Sequence, residues 1–222
     1  MTIRLPAEGR RIAFVGKGGS GKSTAAAHVL AHWADKGVDA VGIDTDKPGD
    51  DEPGSLYAWA DLVDLGTPVY PAPGQTRLAH EARRLTPAHG VALLDTGAWL
   101  RTAGGPHLAA LSAVELVVLT LPPTDIELDR AGSVFTAIEH LEAIGAAVPR
   151  LVVLLTLVNP SAASGNETRT ALVDAGYHVL KTKIPRSDAR DGYAQSFGKP
   201  PLISHSSPMG LLAAELLTAV AQ

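Results

Sequence analysis

Gly16-Lys17-Gly18-Gly19-Ser20-Gly21-Lys22-Ser23-Thr24 fits the spacing G-x-x-x-x-G-K-[ST], and these residue types at this spacing suit the wrapping of a polyphosphate. Backbone N–H groups close around phosphate oxygens only where no Cβ intervenes and unusual φ/ψ is open, which is what glycine provides. The Lys22 ammonium supplies a point charge for the β- and γ-phosphates, and the Ser23 hydroxyl a ligand for Mg²⁺. The expected ligand is a nucleoside triphosphate with Mg²⁺, cradled by Gly18, Gly19, Ser20, Gly21, Lys22, Ser23 and Thr24. Lys17 is a second cation that repels Lys22 unless an anion lies between them. It either stands in solvent or crosses to a partner subunit's nucleotide, serving as an arginine finger in trans.

Three aspartates could complete such a site. Asp44 and Asp95 each end an apolar run, where carboxylates can hold Mg²⁺ through its waters. Asp46, two residues beyond Asp44, can orient an attacking water. The alternative for all three is ordinary helix capping or turn formation.

Positioning these groups needs a strand before the loop and a helix after it. Arg11–Val15 is a short apolar run of buried-strand type, and Ser23–Lys36 lacks Gly and Pro and places Ala26, Val29, Leu30 and Trp33 at helical spacing. Gly37 suits the helix C-terminus. Strands are expected at Asp39–Asp44, Val91–Asp95, Leu116–Leu121, Leu151–Val158 and Tyr177–Ile184. Between and after them, helices are expected at Ser55–Asp64, Thr76–Leu85, from Pro122-Pro123-Thr124-Asp125 to Ile144, at Glu167–Ala175 and from Pro208, the last with Leu211, Leu212, Leu216 and Val220 inward. This alternation predicts an α/β fold: one P-loop domain over residues 1–222, with a mostly parallel sheet covered by helices on both faces. Residues 1–10 are a short N-terminal extension.

The chain has 222 residues and no cysteine, which excludes disulfides, Cys-ligated zinc and iron–sulfur clusters. No apolar run reaches membrane-spanning length, so no membrane partner is expected and the location is read as cytoplasmic. The net charge is −4, but residues 1–149 carry −6 and residues 150–199 carry +3. A locally basic C-terminal third is either a conditional polyanion site or solvated scatter.

Lys17-Gly18-Gly19-Ser20-Gly21-Lys22-Ser23-Thr24 resembles the deviant Walker A signature of the ParA/MinD ATPases, with Lys17 at the signature-lysine position. Gly42-Ile43-Asp44-Thr45-Asp46 resembles the family's D-x-D segment, and Leu93-Leu94-Asp95-Thr96 its Walker B. Leu119 to Leu128 resembles the entry to the long dimer-facing helix. Leu157-Val158-Asn159-Pro160 and Lys183-Ile184-Pro185-Arg186 are similar to the segments that hold adenine, which implies ATP contacts at Asn159, Pro185 and Arg186. Ala194 to Pro201 resembles the "GKP" element. Within the family, the missing cysteines, a tail (Met209–Gln222) without Lys or Arg, and an N-terminus too short for a helix-turn-helix leave the small plasmid-type ParA partition proteins as the nearest likeness.

That resemblance implies a Mg²⁺-dependent ATPase that dimerises on ATP, with Lys17, Lys22 and Asp46 catalytic and Ser23, Asp44 and Asp95 around Mg²⁺. It also implies non-specific DNA binding on the bacterial nucleoid, and release when a ParB-like, centromere-binding partner stimulates hydrolysis. Dimerisation would double the phosphate contacts, which switches on salt-dependent binding. Candidate DNA contacts are Lys181, Lys183, Arg186 and Arg190, with Arg150 and Arg169 behind them. Two other readings stand: a relative that positions a non-DNA cargo, such as a protein assembly or conjugation machinery, and a biosynthetic P-loop ligase, which would not need Lys17. Lys47-Pro48-Gly49 and Asp50-Asp51-Glu52 replace the commoner Pro-Gln after D-x-D and point to slow hydrolysis, and Thr96-Gly97-Ala98 replaces a proline-containing turn. His28 and His32, at i and i+4, are expected to be core or surface histidines, and Trp33, Trp59 and Trp99 packing residues.

Overall fold

The computed structural model describes residues 4–46, 52–72, 77–99 and 105–222. Its seven strands are β1 (Arg10–Val15), β2 (Ala40–Asp44), β3 (Val69–Pro71), β4 (Val91–Asp95), β5 (Leu116–Leu121), β6 (Arg150–Val158) and β7 (Val179–Pro185). They form one sheet in the order β3-β2-β4-β1-β5-β6-β7, every pairing parallel. Burial on both faces explains why β4 and β5 read as unbroken apolar runs rather than alternating ones.

Seven helices cover the sheet: α1 (Lys22–Asp35), α2 (Ser55–Leu62), α3 (Leu78–Leu85), α4 (Gly105–Ser112), α5 (Asp125–Ala143), α6 (Ser164–Asp174) and α7 (Pro208–Ala221). Ile12 and Phe14 of β1 face α1, α2 and α7; Ala13 and Val15 face the layer built from α3, α4, α5 and α6. The α1 stripe Ala26, Val29, Leu30 and Trp33 is buried as its spacing requires. In α7 the inward residues are Met209, Leu212, Ala213, Leu216 and Val220, whereas Leu211, expected inward, is 52% exposed. The helix starts at Pro208 after the Ser207 cap, whose hydroxyl accepts the Gly210 N–H, and this phase turns Leu211 outward.

β3 and α4 have no counterpart among the expected elements. Between Val153 and Leu155, β7 carries extra residues, a bulge that breaks its pairing with β6. The displaced amides are met by side chains: Glu215 of α7 accepts the Lys181 N–H at 2.6 Å and the Thr182 N–H at 2.9 Å, and Arg169 donates to the Leu180 carbonyl.

Candidate functional site

The phosphate loop leaves the central strand β1 and enters α1, at the point where the chain crosses from β4 on one side of β1 to β5 on the other. Crevices in open parallel sheets form there, outside the carboxyl ends of the strands. Gly16 lies where a Cβ would fall 2.4 Å from Thr120 Oγ1 and 2.7 Å from the Thr120 carbonyl. Only glycine fits. Gly21, the residue before α1, has φ 88°, a left-handed conformation that turns the loop into the helix. The Thr120 hydroxyl donates to the Val15 carbonyl (3.1 Å), so Ser20 Oγ donates to it (2.7 Å) and ties the loop to β5.

The two loop lysines are held differently. Lys22 is buried, and its Nζ donates to the Gly16 and Lys17 carbonyls, 3.0 Å each. Burial lowers its pKa, while Asp95 and Asp46 raise it. The Lys17 side chain is 49% exposed, and its Nζ donates to Glu127 Oε1 at 2.8 Å, on a carboxylate side chain only 7% exposed in the first turn of α5. Lys17 and Glu127 also line a 260 Å³ cavity closed by Trp99, whose indole donates to Ser133 of α5.

The strand-end aspartates divide their work. Asp44 accepts from the Asp46 N–H (2.9 Å) and from the Tyr57 N–H (2.8 Å), so its carboxylate also anchors the first turn of α2. Its pKa is raised by burial, against those two hydrogen bonds. Asp95 is fully buried, and neither of its oxygens has a hydrogen-bond partner among the described residues. Burial first and the Asp44 carboxylate second push its pKa to about 7, while the Ser23 hydroxyl and Lys22 pull the other way. An orphaned buried carboxylate facing a serine hydroxyl suits a divalent cation, which would supply the missing partner and favour the charged form. Asp44 keeps a lone pair on each oxygen for a bridging water. Asp46 Oδ1 lies 2.6 Å from where a Cβ of Gly97 would stand, so the glycine after β4 is what lets this carboxylate approach.

A 380 Å³ cavity runs from Gly19, Lys22 and Thr24 between Thr156-Leu157 and Ile184-Pro185 to Tyr193 and Phe197. Pro185 is among the residues that line it. Asn159 is not: its Oδ1 accepts the Ser161 N–H in a turn. Arg186 is exposed and pairs with Asp188 at 2.7 Å. Thr156 was not foreseen, yet its buried hydroxyl lacks a partner and it lines this cavity. The signal available was a lone polar residue inside an apolar strand. Leu157, also on the wall, holds φ 52°, a strained value for a branched side chain of the kind that collects at functional sites.

Trp59 forms the back wall, with its indole donating to the Lys199 carbonyl and Phe197 edge-on at 5.5 Å. His28 sits behind it, 5.9 Å from the Trp59 ring and 5.3 Å from Tyr193; burial first, then His32, lower its pKa to about 4. His28 and His32 are both buried, 4% and 1% exposed, and belong to the core. The basic candidates follow β7: Lys181 is exposed, Lys183 donates to Asn166, and Arg190 is exposed. Residues 47–51, which include most of the variant segment after D-x-D, lie outside the described residues. No helix among the described residues is long and apolar enough to cross a membrane.

Residues 12–196 match the CobQ/CobB/MinD/ParA nucleotide binding domain. No curated protein sequence matches the chain. Among solved structures, cobyrinic acid a,c-diamide synthase from Mycobacterium smegmatis with ADP and magnesium is similar at TM-score 0.68 and 19% identity, covering 95% of this chain and 93% of that one. McdA from Cyanothece with ATP gives 0.67 and 14%, covering 95% and 97%. MinD from Pyrococcus horikoshii with Mg-ADP gives 0.64 and 18%, covering 95% of each chain.

Proposed function

From the premise that this chain belongs to the CobQ/CobB/MinD/ParA nucleotide-binding domain family, we propose that it is a Mg²⁺-dependent ATPase of the ParA/MinD type. In this reading it dimerises on ATP, binds DNA without sequence preference and is released when a ParB-like partner stimulates hydrolysis. The observation that carries this reading is the contrast between the two lysines. Lys22 is buried under the loop, whereas Lys17 stands half in solvent on a carboxylate. An ammonium at that exposed position can reach a second subunit's phosphates, and a ligase confined to one chain has no use for it.

The chemistry assigned to the chain's own residues is electrostatic. Lys22 and the loop amides would hold the β- and γ-phosphates, and Ser23, with Asp44 and Asp95 acting through water, would hold Mg²⁺, which when bound neutralises charge on the phosphates. Asp46 orients the attacking water beside Gly97. Thr156, Leu157 and Pro185 receive the base.

The test is a gel shift on arbitrary duplex DNA with ATP, ADP or no nucleotide, with Lys17→Ala in parallel. A shift that needs ATP and is lost in the variant supports partition; binding that ignores nucleotide removes the switch. A second reading, positioning of a non-DNA cargo, draws on one observation. Arg186 is paired with the Asp188 carboxylate, which lessens the charge it offers to phosphates, and Lys183 spends one N–H on Asn166. An ATP-dependent dimer that never shifts DNA would favour it.

A further inference from the structure

We infer that the cleft at the N-terminal edge of the sheet binds a phosphate group, independently of the nucleotide site. In a parallel sheet all strands begin at one edge, and the phosphate loop lies at the other, about 20 Å away along the six residues of β1. At the starting edge a 400 Å³ cavity is lined by Arg10, Arg11, Arg83 and Arg150, with Glu115 as the lone carboxylate side chain. That volume falls in the range of small-ligand sites. The arginines arrive from three elements: β1, α3 and β6.

Their existing partners leave capacity unused. Arg11 is 6% exposed; Glu115 accepts its backbone N–H at 2.7 Å and one terminal nitrogen of its guanidinium, but its Nε has no partner. A buried N–H without an acceptor is costly; with no accessible surface on the Nε, an oxyanion would meet Arg11 through the guanidinium's other terminal nitrogen. Arg83 is exposed and has no partner among the described residues, because its neighbour Arg84 takes Glu81. Arg10 makes two long contacts, 3.3 Å to Glu8 and 3.4 Å to the Gly9 carbonyl. Arg150 donates to the Ala219 carbonyl in the last turn of α7. Attraction to helix C-termini accounts for Arg150. It does not account for the orphaned Arg11 Nε or for Arg83. Guanidinium groups that line one cavity from different elements suit a tetrahedral oxyanion, and the Glu115 carboxylate is already taken by the Arg11 backbone N–H and one Arg11 guanidinium nitrogen.

The ligand is a phosphate ester, free or in a nucleic-acid backbone. The test uses the full chain saturated with Mg-ADP, so that the phosphate loop is occupied, and reads arginine Nε–H resonances by ¹⁵N NMR. Inorganic phosphate is titrated against chloride at matched ionic strength, and short duplex DNA in a separate arm. The expected result is a saturable shift of the Arg11 Nε–H, weakened at least about tenfold in Arg83→Ala and in Arg150→Ala. A response to inorganic phosphate identifies the free oxyanion as sufficient; a response to DNA alone identifies the backbone as the source. Arg83→Ala is exposed and unpaired, so it folds and keeps the test decisive. No saturable response to either titrant, or a response unchanged in Arg83→Ala, overturns the inference.

Discussion

Lys17 and Glu127 stand 110 residues apart in sequence and 2.8 Å apart in the fold, an exposed ammonium resting on a nearly buried carboxylate. The contact joins the phosphate loop to the first turn of α5. An intramolecular partner competes with any partner outside the chain, because Lys17 must leave Glu127 to reach one.

Glu127→Gln removes the charge that holds Lys17 and keeps the side chain's shape. The pair is half exposed, so its strength is discounted to about 1 kcal/mol. The ATP-bound protein is expected to dimerise at roughly fivefold lower concentration, as read by analytical ultracentrifugation. An unchanged dimerisation constant would show that the pair does not oppose association.

Gly16→Ala is expected to be far more damaging than its single methyl suggests. The new Cβ would meet Thr120 Oγ1 at 2.4 Å and the Thr120 backbone oxygen at 2.7 Å, and the latter cannot rotate aside. A loss of about 2 kcal/mol or more in thermal unfolding is expected, together with loss of nucleotide binding. A variant with normal ATP affinity would mean that the loop can shift away from β5 at no cost.

Asp46→Ala should retain ATP, since Lys22 and the loop remain, and lower turnover by about a hundredfold or more. Single-turnover hydrolysis measured beside equilibrium ATP binding separates the two. Turnover at the original rate would remove Asp46 from the chemistry.

His28 makes acid sensitivity predictable in sign. Its folded pKa of about 4 lies below its ordinary 6.5. Above pH 6.5 it is neutral in both states. As the pH falls from 6.5 toward 4, the unfolded chain takes a proton that the folded core refuses, and stability is lost, up to roughly 3 kcal/mol. His28→Met should flatten that part of the stability–pH curve in denaturant titrations; a slope equal to that of the unaltered protein would contradict the burial argument.

The fold was legible where local chemistry dictates it. Gly16 to Thr24, the apolar runs ending in Asp44 and Asp95, and the α1 stripe are each contained in a few neighbouring residues. The misses have physical causes. Val69–Pro71 is too short to show a period, and its proline argues against a strand except at an edge. Glu127 carries no sign that its partner is Lys17. Asn159 accepts the Ser161 N–H in its own turn and keeps its amide N–H groups free, so its expected base contact stays a proposal. Thr156 became visible as a cavity residue only once β6 and β7 were seen to flank the loop.

The Glu215 carboxylate on the Lys181 and Thr182 amides carries a consequence for assembly. The outermost strand of an open sheet is a template on which another chain can add its own strand. Here β7 is bulged, and two of its donors, the Lys181 and Thr182 amides, are already taken by Glu215 of α7. At the opposite margin β3 is three residues long and ends in Pro71, which has no N–H to give. Both margins are therefore poor templates for a strand from a neighbouring molecule. Contacts between copies would favour the helical faces and loop surfaces over continuous β-structure.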